Sequence, residues 1–213
     1  TNMVLRTNTV DSLMIFTNKG NMYRLIVDDI PEGNNTSKGT PVRALVSMEP
    51  QEEPTIIYSI YRETDDKYIV FVTKQGYVKR TALSDYISVK KKSGIKDLNF
   101  HENDELVSVF LANQESILLL TKNGYGLRVK GSDFTPTGRV SMGIKGINLR
   151  PEDEVICALP VRDETDDLAL FTKHGMGRRF ALKALPIQGR NLRGNICAKG
   201  EEVVAASLVS DND

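Results

Sequence analysis

Four copies of one short pattern restrict the folds available to this sequence. In each copy an apolar run leads into Thr-x-x-Gly and a second strand-like run. The copies read SLMIFTNKGNMYRLIV, YIVFVTKQGYVKRTAL, SILLLTKNGYGLRVKG and DLALFTKHGMGRRFAL. Their hairpin glycines are spaced 56, 48 and 51 residues apart, at Gly20, Gly76, Gly124 and Gly175. A period of about fifty residues indicates a repeat architecture in which each unit packs on its neighbours.

Each unit of this repeat reads as four short strands. Eighteen or nineteen residues after each hairpin glycine, a second glycine opens another β-rich run, at Gly39, Gly94, Gly143 and Gly194. Two copies then carry an acidic turn that enters an apolar strand, at Asp104-Glu105 and Asp153-Glu154. Because the first strand of each hairpin is apolar on both faces, we expect neighbouring sheets to cover it. Four-stranded units stacked radially predict an all-β, propeller-like disc.

The units follow one another without a linker, so we expect a single domain over residues 1–213. The predicted repeats span about residues 10–66, 67–113, 114–163 and 164–210. Residues Met3 to Arg6 look like a fourth strand with no first three strands before it. We therefore expect residues 1–9 to form the last strand of a preceding blade that this chain lacks.

Several function classes find no support in the residues. No apolar run approaches the eighteen or so residues of a membrane span, and no signal-peptide pattern opens the chain, so we expect a cytoplasmic protein. Cys157 and Cys197 lie in apolar runs, which is typical of small buried hydrophobes. His101 and His174 fall in turns without a ligand cluster, so no metal is expected. No catalytic triad or complete phosphate loop appears, which favours binding over catalysis and predicts no cofactor.

Basic residues cluster at matching points of the repeat although the formal net charge is zero. Residues 73–96 hold seven Lys or Arg and one acid, residues 121–150 hold six and one, and residues 172–199 hold seven and none. A single run of this kind is usually a solvated face. Three runs in register predict a basic belt around the disc, which is typical of proteins that bind a polyanion.

A nucleic acid is one polyanion that such a belt would suit, because a basic edge offers phosphate contacts, and no base-reading element is evident. The candidate DNA-binding residues are Lys79, Arg80, Lys90, Lys91, Lys92, Arg128, Lys130, Arg139, Lys145, Arg178, Arg179, Arg190 and Arg193. Two alternatives stay open. Propellers also serve as protein-interaction platforms, and a hydrolytic or sugar-binding propeller would need a central polar pocket that the sequence does not indicate.

Beyond the repeat itself, several stretches resemble a known family. They are the four hairpins, Val78-Lys79-Arg80 with Leu83, Gly138-Arg139 with Gly143-Ile144-Lys145-Gly146-Ile147, and Gly175-Met176-Gly177-Arg178-Arg179. The first hairpin, continued by Ser37-Lys38-Gly39, matches as well. From about Val10 to Leu208 the chain resembles the C-terminal domain of the A subunit of bacterial type IIA topoisomerases, DNA gyrase and topoisomerase IV.

The resemblance implies a β-pinwheel, a propeller variant in which a strand of one unit pairs within its neighbour's sheet, with DNA bent around a basic outer edge. It implies three partners: double-stranded DNA, the ATPase B subunit of the enzyme, and the catalytic core of the same A subunit. The bent segment would be presented for strand passage in a bacterial, nucleoid-associated enzyme. The catalytic tyrosine and the ATPase lie elsewhere in that ATP-dependent enzyme, so we expect this chain alone to be inactive as a topoisomerase.

One departure from the family concerns the subtype. Gyrases carry a basic, glycine-rich box in the first repeat that is needed for introducing negative supercoils, and the chain shows no full copy of it. The stretch Gly189-Arg190-Asn191-Leu192-Arg193-Gly194 resembles this box only weakly. Because we expect the first repeat to be missing, the absence of the box does not separate gyrase from topoisomerase IV.

Overall fold

Strands make up almost all regular structure in the computed structural model, which describes residues 4–61, 64–87 and 94–210. In chain order the strands are β1 (Ser12–Thr17), β2 (Asn21–Ile26), β3 (Pro54–Ile60), β4 (Tyr68–Thr73), β5 (Tyr77–Ala82), β6 (Ile95–Lys96), β7 (Leu106–Ala112), β8 (Ser116–Thr121), β9 (Tyr125–Lys130), β10 (Ile144–Lys145), β11 (Val155–Val161), β12 (Asp167–Thr172), β13 (Gly177–Ala181), β14 (Ile187–Gln188), β15 (Asn195–Ile196) and β16 (Val203–Val209). The helices are single turns, α1 (Val42–Leu45), α2 (Ser84–Ile87) and 3-10 turns at Val27–Asp29, Gly131–Asp133 and Leu182–Ala184. Within the described ranges no helix is long and apolar enough to cross a membrane.

The strands form four sheets, which we call blades 1 to 4 in chain order. Blade 1 has the strand order β3-β1-β2-β6, and blade 2 has the order β7-β4-β5-β10. Blade 3 has the order β11-β8-β9, with β14 and β15 both pairing with β9, and blade 4 has the order β16-β12-β13. The strands β3, β7, β11 and β16 contact one another from blade to blade. They therefore lie at the centre of an arc, and the two-residue strands lie at its outer edge.

Exchange of strands between units defines this fold. β6 follows the second hairpin in the chain but pairs with β2 of blade 1, and β10 follows the third hairpin but pairs with β5 of blade 2. β14 and β15 follow the fourth hairpin and pair with β9 of blade 3. Each unit thus completes the sheet of the unit before it, which confirms the β-pinwheel predicted from the family resemblance.

The Thr-x-x-Gly signature has a local cause in all four hairpins. Each glycine takes a positive φ, between 73° and 88°, and donates its N–H to the carbonyl oxygen of the threonine. The threonine hydroxyl in turn accepts a hydrogen bond of 3.1 to 3.3 Å from the N–H that follows the glycine. A tight reversal needs a left-handed residue, which glycine supplies without steric cost. The threonine hydroxyl then fixes the start of the second strand.

The apolar core lies between blades as well as within them. Val72 of blade 2 and Leu119 of blade 3 belong to one buried cluster. Phe16 of blade 1 and Phe71 of blade 2 belong to another, with their ring centroids 5.2 Å apart in an edge-to-face arrangement. β1, β4 and β8 are accordingly buried along almost their whole length, as their apolar sequences predict.

β12 departs from this pattern, and the prediction that it is as buried as the other three first strands is wrong. Phe171 of β12 is 49% exposed, whereas the matching residues Phe16, Val72 and Leu120 are at most 2% exposed. The three buried side chains are covered by the following blade. In the described part of the chain no blade follows blade 4, so one face of β12 remains open to solvent.

Candidate nucleic-acid interface

The outer edge of the arc is built from the segments that each unit donates to the preceding blade. Each segment contains a glycine that lies against the acceptor blade. A Cβ atom on Gly143 would lie 2.6 Å from the carbonyl oxygen of Val78, and one on Gly194 would lie 2.7 Å from that of Gly126. Because a side chain cannot approach a backbone oxygen so closely, glycine is what lets each segment reach the edge of the neighbouring sheet.

The donated segments also contact one another end to end. Leu98 and Ser141 form a β-bridge, and so do Ile147 and Leu192. The N–H of Asn148 donates to the carbonyl oxygen of Leu192 over 2.9 Å. These contacts join three stretches into one continuous surface, which we call the rim strip: residues 94–98, 137–150 and 187–196.

The rim strip carries six cations and no exposed acid. The cations are Lys96, Arg139, Lys145, Arg150, Arg190 and Arg193, each of them exposed or half-buried. The single carboxylate within these stretches, that of Asp97, is buried. The outer edge of the arc is therefore a field of positive charge without acids to neutralise it, which attracts anions.

Several of these cations are held by neighbouring groups that use only part of their hydrogen-bonding capacity. Arg190 Nη1 donates to the carbonyl oxygen of Lys145 over 3.2 Å, and Arg150 Nη1 donates to that of Arg193 over 2.6 Å. The guanidinium carbon of Arg150 also lies 3.5 Å from the ring centroid of Tyr125. A guanidinium has five N–H donors, so most remain available to a ligand. Restraining the side chains in advance lowers the entropy cost of binding.

A second set of cations, on the hairpin turns, is neutralised by carboxylates. Lys74 Nζ lies 3.1 Å from the carboxylate of Glu105 and 3.2 Å from that of Glu154. Lys173 Nζ lies 3.5 Å from the carboxylate of Glu202. The hydrogen bonds to Glu105 and Glu154 raise the pKa of Lys74. The zero net charge thus hides an uneven distribution, because acids accompany the turn lysines while the rim strip keeps an excess of cations.

Three of the predicted DNA-binding residues are buried. Lys79, Arg80 and Arg128 are 2%, 5% and 3% exposed. The expectation that these side chains lie on the outer surface is therefore wrong. Their strands β5 and β9 are covered by the segments of the following unit, and the repeat register alone does not show which strand lies beneath another.

Arginines at one repeat position, of which Arg80 and Arg128 are buried and Arg24 is half-buried, join consecutive units. Arg24, Arg80 and Arg128 occupy the same repeat position, and each donates to a backbone carbonyl oxygen of the next unit. The pairs are Arg24 with Ile87 at 2.6 Å, Arg80 with Phe134 at 2.7 Å and Arg128 with Leu185 at 3.2 Å. Burial lowers the pKa of Arg80, but a guanidinium stays charged at any ordinary pH. We call these three contacts the arginine clasps.

Lys79 supports the rim strip from beneath. Its Nζ donates to the carbonyl oxygen of Asp97 over 2.6 Å and to the carbonyl oxygen of Arg139. The same atom lies 3.7 Å from the carboxylate of Asp97. Burial lowers the pKa of Lys79 to about 8, against the opposing effect of Asp97. Lys79 therefore holds two segments of the strip together and does not reach the solvent side.

The remaining candidates fall into three groups. The rim strip brings together four of them, Arg139, Lys145, Arg190 and Arg193. Exposed positions on β9 and β13, outside the strip, hold Lys130, Arg178 and Arg179. Lys90, Lys91 and Lys92 lie outside the described residues. The sequence thus identified part of the strip and added side chains from other surfaces.

Two cations of the strip were not among the candidates. Lys96 ends the triplet Gly94-Ile95-Lys96, which matches Gly143-Ile144-Lys145, so the repeat register could have found it. Arg150 has a weaker signal. It occupies the repeat position of His101, whose ring stacks on Tyr77 at 3.7 Å much as Arg150 stacks on Tyr125.

Other ligand chemistry finds no site within residues 4–61, 64–87 and 94–210. No three His, Cys, Asp or Glu side chains come together there in an arrangement that could hold a metal ion. Cys157 and Cys197 are free thiols, and burial raises the pKa of Cys157 to about 12 and that of Cys197 to about 11. Neither thiol is poised to form a thiolate near neutral pH.

The exchanged strands and the cationic outer edge define the chain as a β-pinwheel domain with a basic rim. The family model of the DNA gyrase C-terminal domain, beta-propeller, matches residues 11–47, 67–113, 115–162 and 166–210. The chain belongs to this family.

Individual relatives agree with that assignment. The chain is 35% identical over 208 residues to the DNA gyrase A subunit of Lawsonia intracellularis, covering 94% of this chain and 25% of the relative. It is 34% identical over 214 residues to the corresponding gyrase protein of Staphylococcus aureus, covering 97% and 24%. The chain spans about a quarter of the length of these relatives.

Solved structures show the same fold. A crystal structure of the C-terminal domain of DNA topoisomerase IV superposes with a TM-score of 0.82 and 25% identity, over 96% of this chain and 65% of that one. The Escherichia coli ParC C-terminal domain superposes with a TM-score of 0.72 and 17% identity, over 97% and 84%. The chain therefore shares its fold with the C-terminal domains of DNA topoisomerase IV and of ParC.

Proposed function

We propose that this domain binds double-stranded DNA without sequence preference and bends it around the outer edge of the arc. The observation that carries the proposal is the rim strip, on which three units place six cations along one continuous surface whose only carboxylate is buried. A duplex presents a dense, regular array of phosphates. A curved edge with cations along its length can engage many of them at once.

The shape of the edge favours contacts with phosphates over contacts with bases. The strip consists of loops and two-residue strands, and the longest helix in the described part of the chain has four residues. Such a helix is too short to read bases from a major groove. Bending a duplex of 20–30 base pairs costs about 1–6 kcal/mol. Phosphate contacts spread along a rigid edge would offset that cost.

We propose the same role for the domain within an intact A subunit. There it would present the bent DNA segment to the catalytic core, with an ATPase B subunit driving strand passage, in the bacterial cytoplasm. Membership of the gyrase family supports this role. The domain contributes DNA binding, and the chemistry of strand breakage belongs to the rest of the enzyme.

Mobility-shift titrations of a long duplex at three or more salt concentrations test the proposal. Log affinity should fall linearly with log salt, with a slope of about −5 if each strip cation engages one phosphate. Replacing Arg190→Gln together with Arg193→Gln should weaken binding to all sequences alike and flatten the slope by about two.

The matched control is Lys74→Gln together with Lys122→Gln. It removes the same charge from turn lysines that already lie beside Glu105, Glu154 and Glu202, so affinity and slope should stay close to wild type. Wild-type behaviour of the Arg190/Arg193 variant would exclude the rim strip as the binding surface. Binding that does not depend on salt would favour a protein-interaction platform instead.

If the domain wraps DNA with a fixed hand, we expect a change in plasmid topology. Circular plasmid that is relaxed or ligated in the presence of the domain should keep a shifted linking number after the protein is removed. If saturating protein leaves the linking number unchanged, the domain binds DNA without wrapping it in a fixed hand.

A further inference from the structure

The rim strip carries apolar side chains as well as cations. Of the fifteen large hydrophobic side chains that are exposed in the described part of the chain, six lie on the strip: Val140, Met142, Ile144, Ile187, Leu192 and Ile196. The strip holds less than a sixth of the described residues. Clustered exposed apolar side chains are typical of an interaction surface. A surface that bound phosphates alone would not need them.

Exposure alternates along residues 139–145 of the strip. Every second side chain is exposed, and all three of these are apolar: Val140, Met142 and Ile144, which are 54%, 37% and 41% exposed. The residues between them are half-buried, and Ser141 Oγ lies 2.9 Å from Thr137 Oγ1. A sheet with one solvated face normally buries its apolar side chains and exposes its polar ones. This segment has the reverse order, and we call its three exposed side chains the apolar row.

The apolar row shares its surface with the cations of the rim strip. Met142 occupies the repeat position of Arg193, and both side chains are exposed. Arg139 and Lys145 lie at the two ends of the row. A ligand whose anionic groups engaged those cations would therefore also cover the row. Because the strip has no exposed acid, its charge favours a polyanion over a protein as that ligand.

A hollow of about 270 Å³, which two side chains of the row also line, continues the apolar surface. Val78 and Phe134 form buried apolar walls of the hollow, and Thr135, Thr137 and Ser141 contribute hydroxyl groups. Hydroxyl side chains commonly contact the sugar and phosphate of a nucleic acid. The row and the hollow together therefore offer apolar and hydrogen-bonding groups to a sugar–phosphate backbone.

Cations alone do not distinguish DNA from RNA, because both nucleic acids carry phosphates along their backbones. The sugars differ, since ribose has a 2′-hydroxyl, which an RNA duplex displays in its minor groove. Covering a hydroxyl group with apolar atoms removes its hydrogen bonds to water and is unfavourable. Deoxyribose presents only C–H groups at that position, so apolar side chains can cover it without this cost.

We propose that the apolar row packs against deoxyribose rings of the bound duplex and thereby selects DNA over RNA, an inference that rests on the proposed function. Arg139 and Lys145 engage phosphates, and the row covers the sugars between them. Deoxyribose is common to every DNA sequence, so this selection is compatible with binding that has no base preference. Val140, Met142 and Ile144 are thus specificity-determining residues for the type of nucleic acid.

Competition mobility-shift titrations with a DNA duplex and an RNA duplex of the same length and sequence test the inference. Wild type should prefer DNA by about tenfold or more, as expected when a hydroxyl is covered without a partner. Val140→Ser together with Met142→Ser should lower the affinity for DNA about tenfold and leave the affinity for RNA unchanged, so the preference should disappear. The slope of log affinity against log salt should keep its wild-type value, because no charge is removed.

The matched control is Met176→Ser together with Val204→Ser. It changes the same two residue types at exposed positions of blade 4, outside the rim strip. The affinity for DNA and the preference over RNA should therefore stay at their wild-type values. An unchanged thermal midpoint confirms that both variants are folded, as expected for substitutions of exposed side chains.

The outcomes separate this inference from the proposed function. If wild type shows no salt-dependent binding to DNA, both fail. If wild type binds DNA with the expected slope but the Val140/Met142 variant keeps the wild-type affinity and preference, only the role of the apolar row is overturned, and the row is left to contact a protein. Equal losses of affinity for DNA and RNA would also overturn it, because the row would then not distinguish the two sugars. A flatter salt slope would contradict it as well, since the substitutions would then act by displacing the cations.

Discussion

Blades 3 and 4 are built from the same sequence unit, yet their surroundings differ. The hairpin of blade 3 is covered by the following unit, so Leu120 and Arg128 are buried. In blade 4 the matching residues are Phe171 and Arg179, and both are exposed. The comparison shows that much of each repeat encodes an interface with the next unit, so the burial of a residue depends on its neighbour as well as on its own strand.

The same comparison separates two uses of basic residues. Arg128 forms an arginine clasp to Leu185, whereas Arg179, at the same repeat position, donates instead to the carboxylate of Asp167 over 2.6 Å in its own blade. An arginine at this repeat position therefore forms a clasp where the described chain continues into a further unit, and it lies at the surface in blade 4, the last described blade. The register predicts a common position but not a common role.

The largest difference between the two blades should appear at the hairpin glycines. Gly124→Ala and Gly175→Ala both place a side chain at a positive φ, 88° and 79°, which costs about 1 kcal/mol. At Gly124 the new Cβ would also lie 2.0 Å from the carbonyl oxygen of Ala198, whereas Gly175 has nothing within 4 Å. Urea unfolding should show a loss of about 3 kcal/mol or more for Gly124→Ala and about 1 kcal/mol for Gly175→Ala.

Equal losses at the two glycines would contradict this expectation. They would mean that only the turn conformation matters and that the contact with the next unit contributes nothing. The unfolding must be a single transition for both variants if the free energies are to be compared.

The arginines should show the next largest difference. Arg128→Ala removes hydrogen bonds to Leu185 and Ser116 and an ion pair of 2.5 Å with Glu164, and leaves a buried carbonyl oxygen unpaired. We expect a loss of about 2–3 kcal/mol in the free energy of unfolding. Arg179→Ala removes an exposed pair with Asp167 and should cost about 1 kcal/mol or less. If the two variants lose equal stability, the clasp contributes little to the contact between units.

The general fold could be derived from the sequence because its signals are local and repeated. The Thr-x-x-Gly pattern specifies a hairpin through glycine φ and a threonine hydroxyl bond, and the apolar first strands specify burial on both faces. The exchange of strands could not be derived in that way. The exchange depends on which sheet edge a two-residue strand such as Ile144–Lys145 reaches. So short a strand has no periodicity from which its partner could be predicted. The strand exchange was therefore predicted from the family resemblance.

The site was predicted only in part for a related physical reason. The sequence shows which residues are charged but not which of them are buried. Burial depends on whether a segment of the neighbouring unit covers the strand that carries the residue. Lys79 and Lys145 each occupy a repeat position at which another unit also has a basic residue. Lys79 lies beneath the donated segments, whereas Lys145 lies on one of them. If each segment around Gly94, Gly143 and Gly194 had been assigned to the edge of the preceding blade, Lys145 would have been placed at the surface and Lys79 beneath it. The same assignment would also have selected Lys96.

The smallest effect that we predict is a change with pH in the free energy of unfolding. It should depend on Lys79 and not on Arg178, which holds the same repeat position in blade 4. Burial lowers the pKa of Lys79 to about 8 in the folded protein, against 10.5 in the unfolded chain. Between these values the unfolded state binds more protons, so raising the pH should increase the free energy of unfolding relative to Lys79→Met. Below pH 8 both states are protonated and the difference between wild type and variant should be constant. From pH 8 to pH 9 we expect a gain of about 1 kcal/mol in urea unfolding. Arg178→Met, which removes an exposed cation, is the matched control and should show no such trend. A flat difference for Lys79→Met would mean that Asp97 keeps the buried lysine protonated in the folded state.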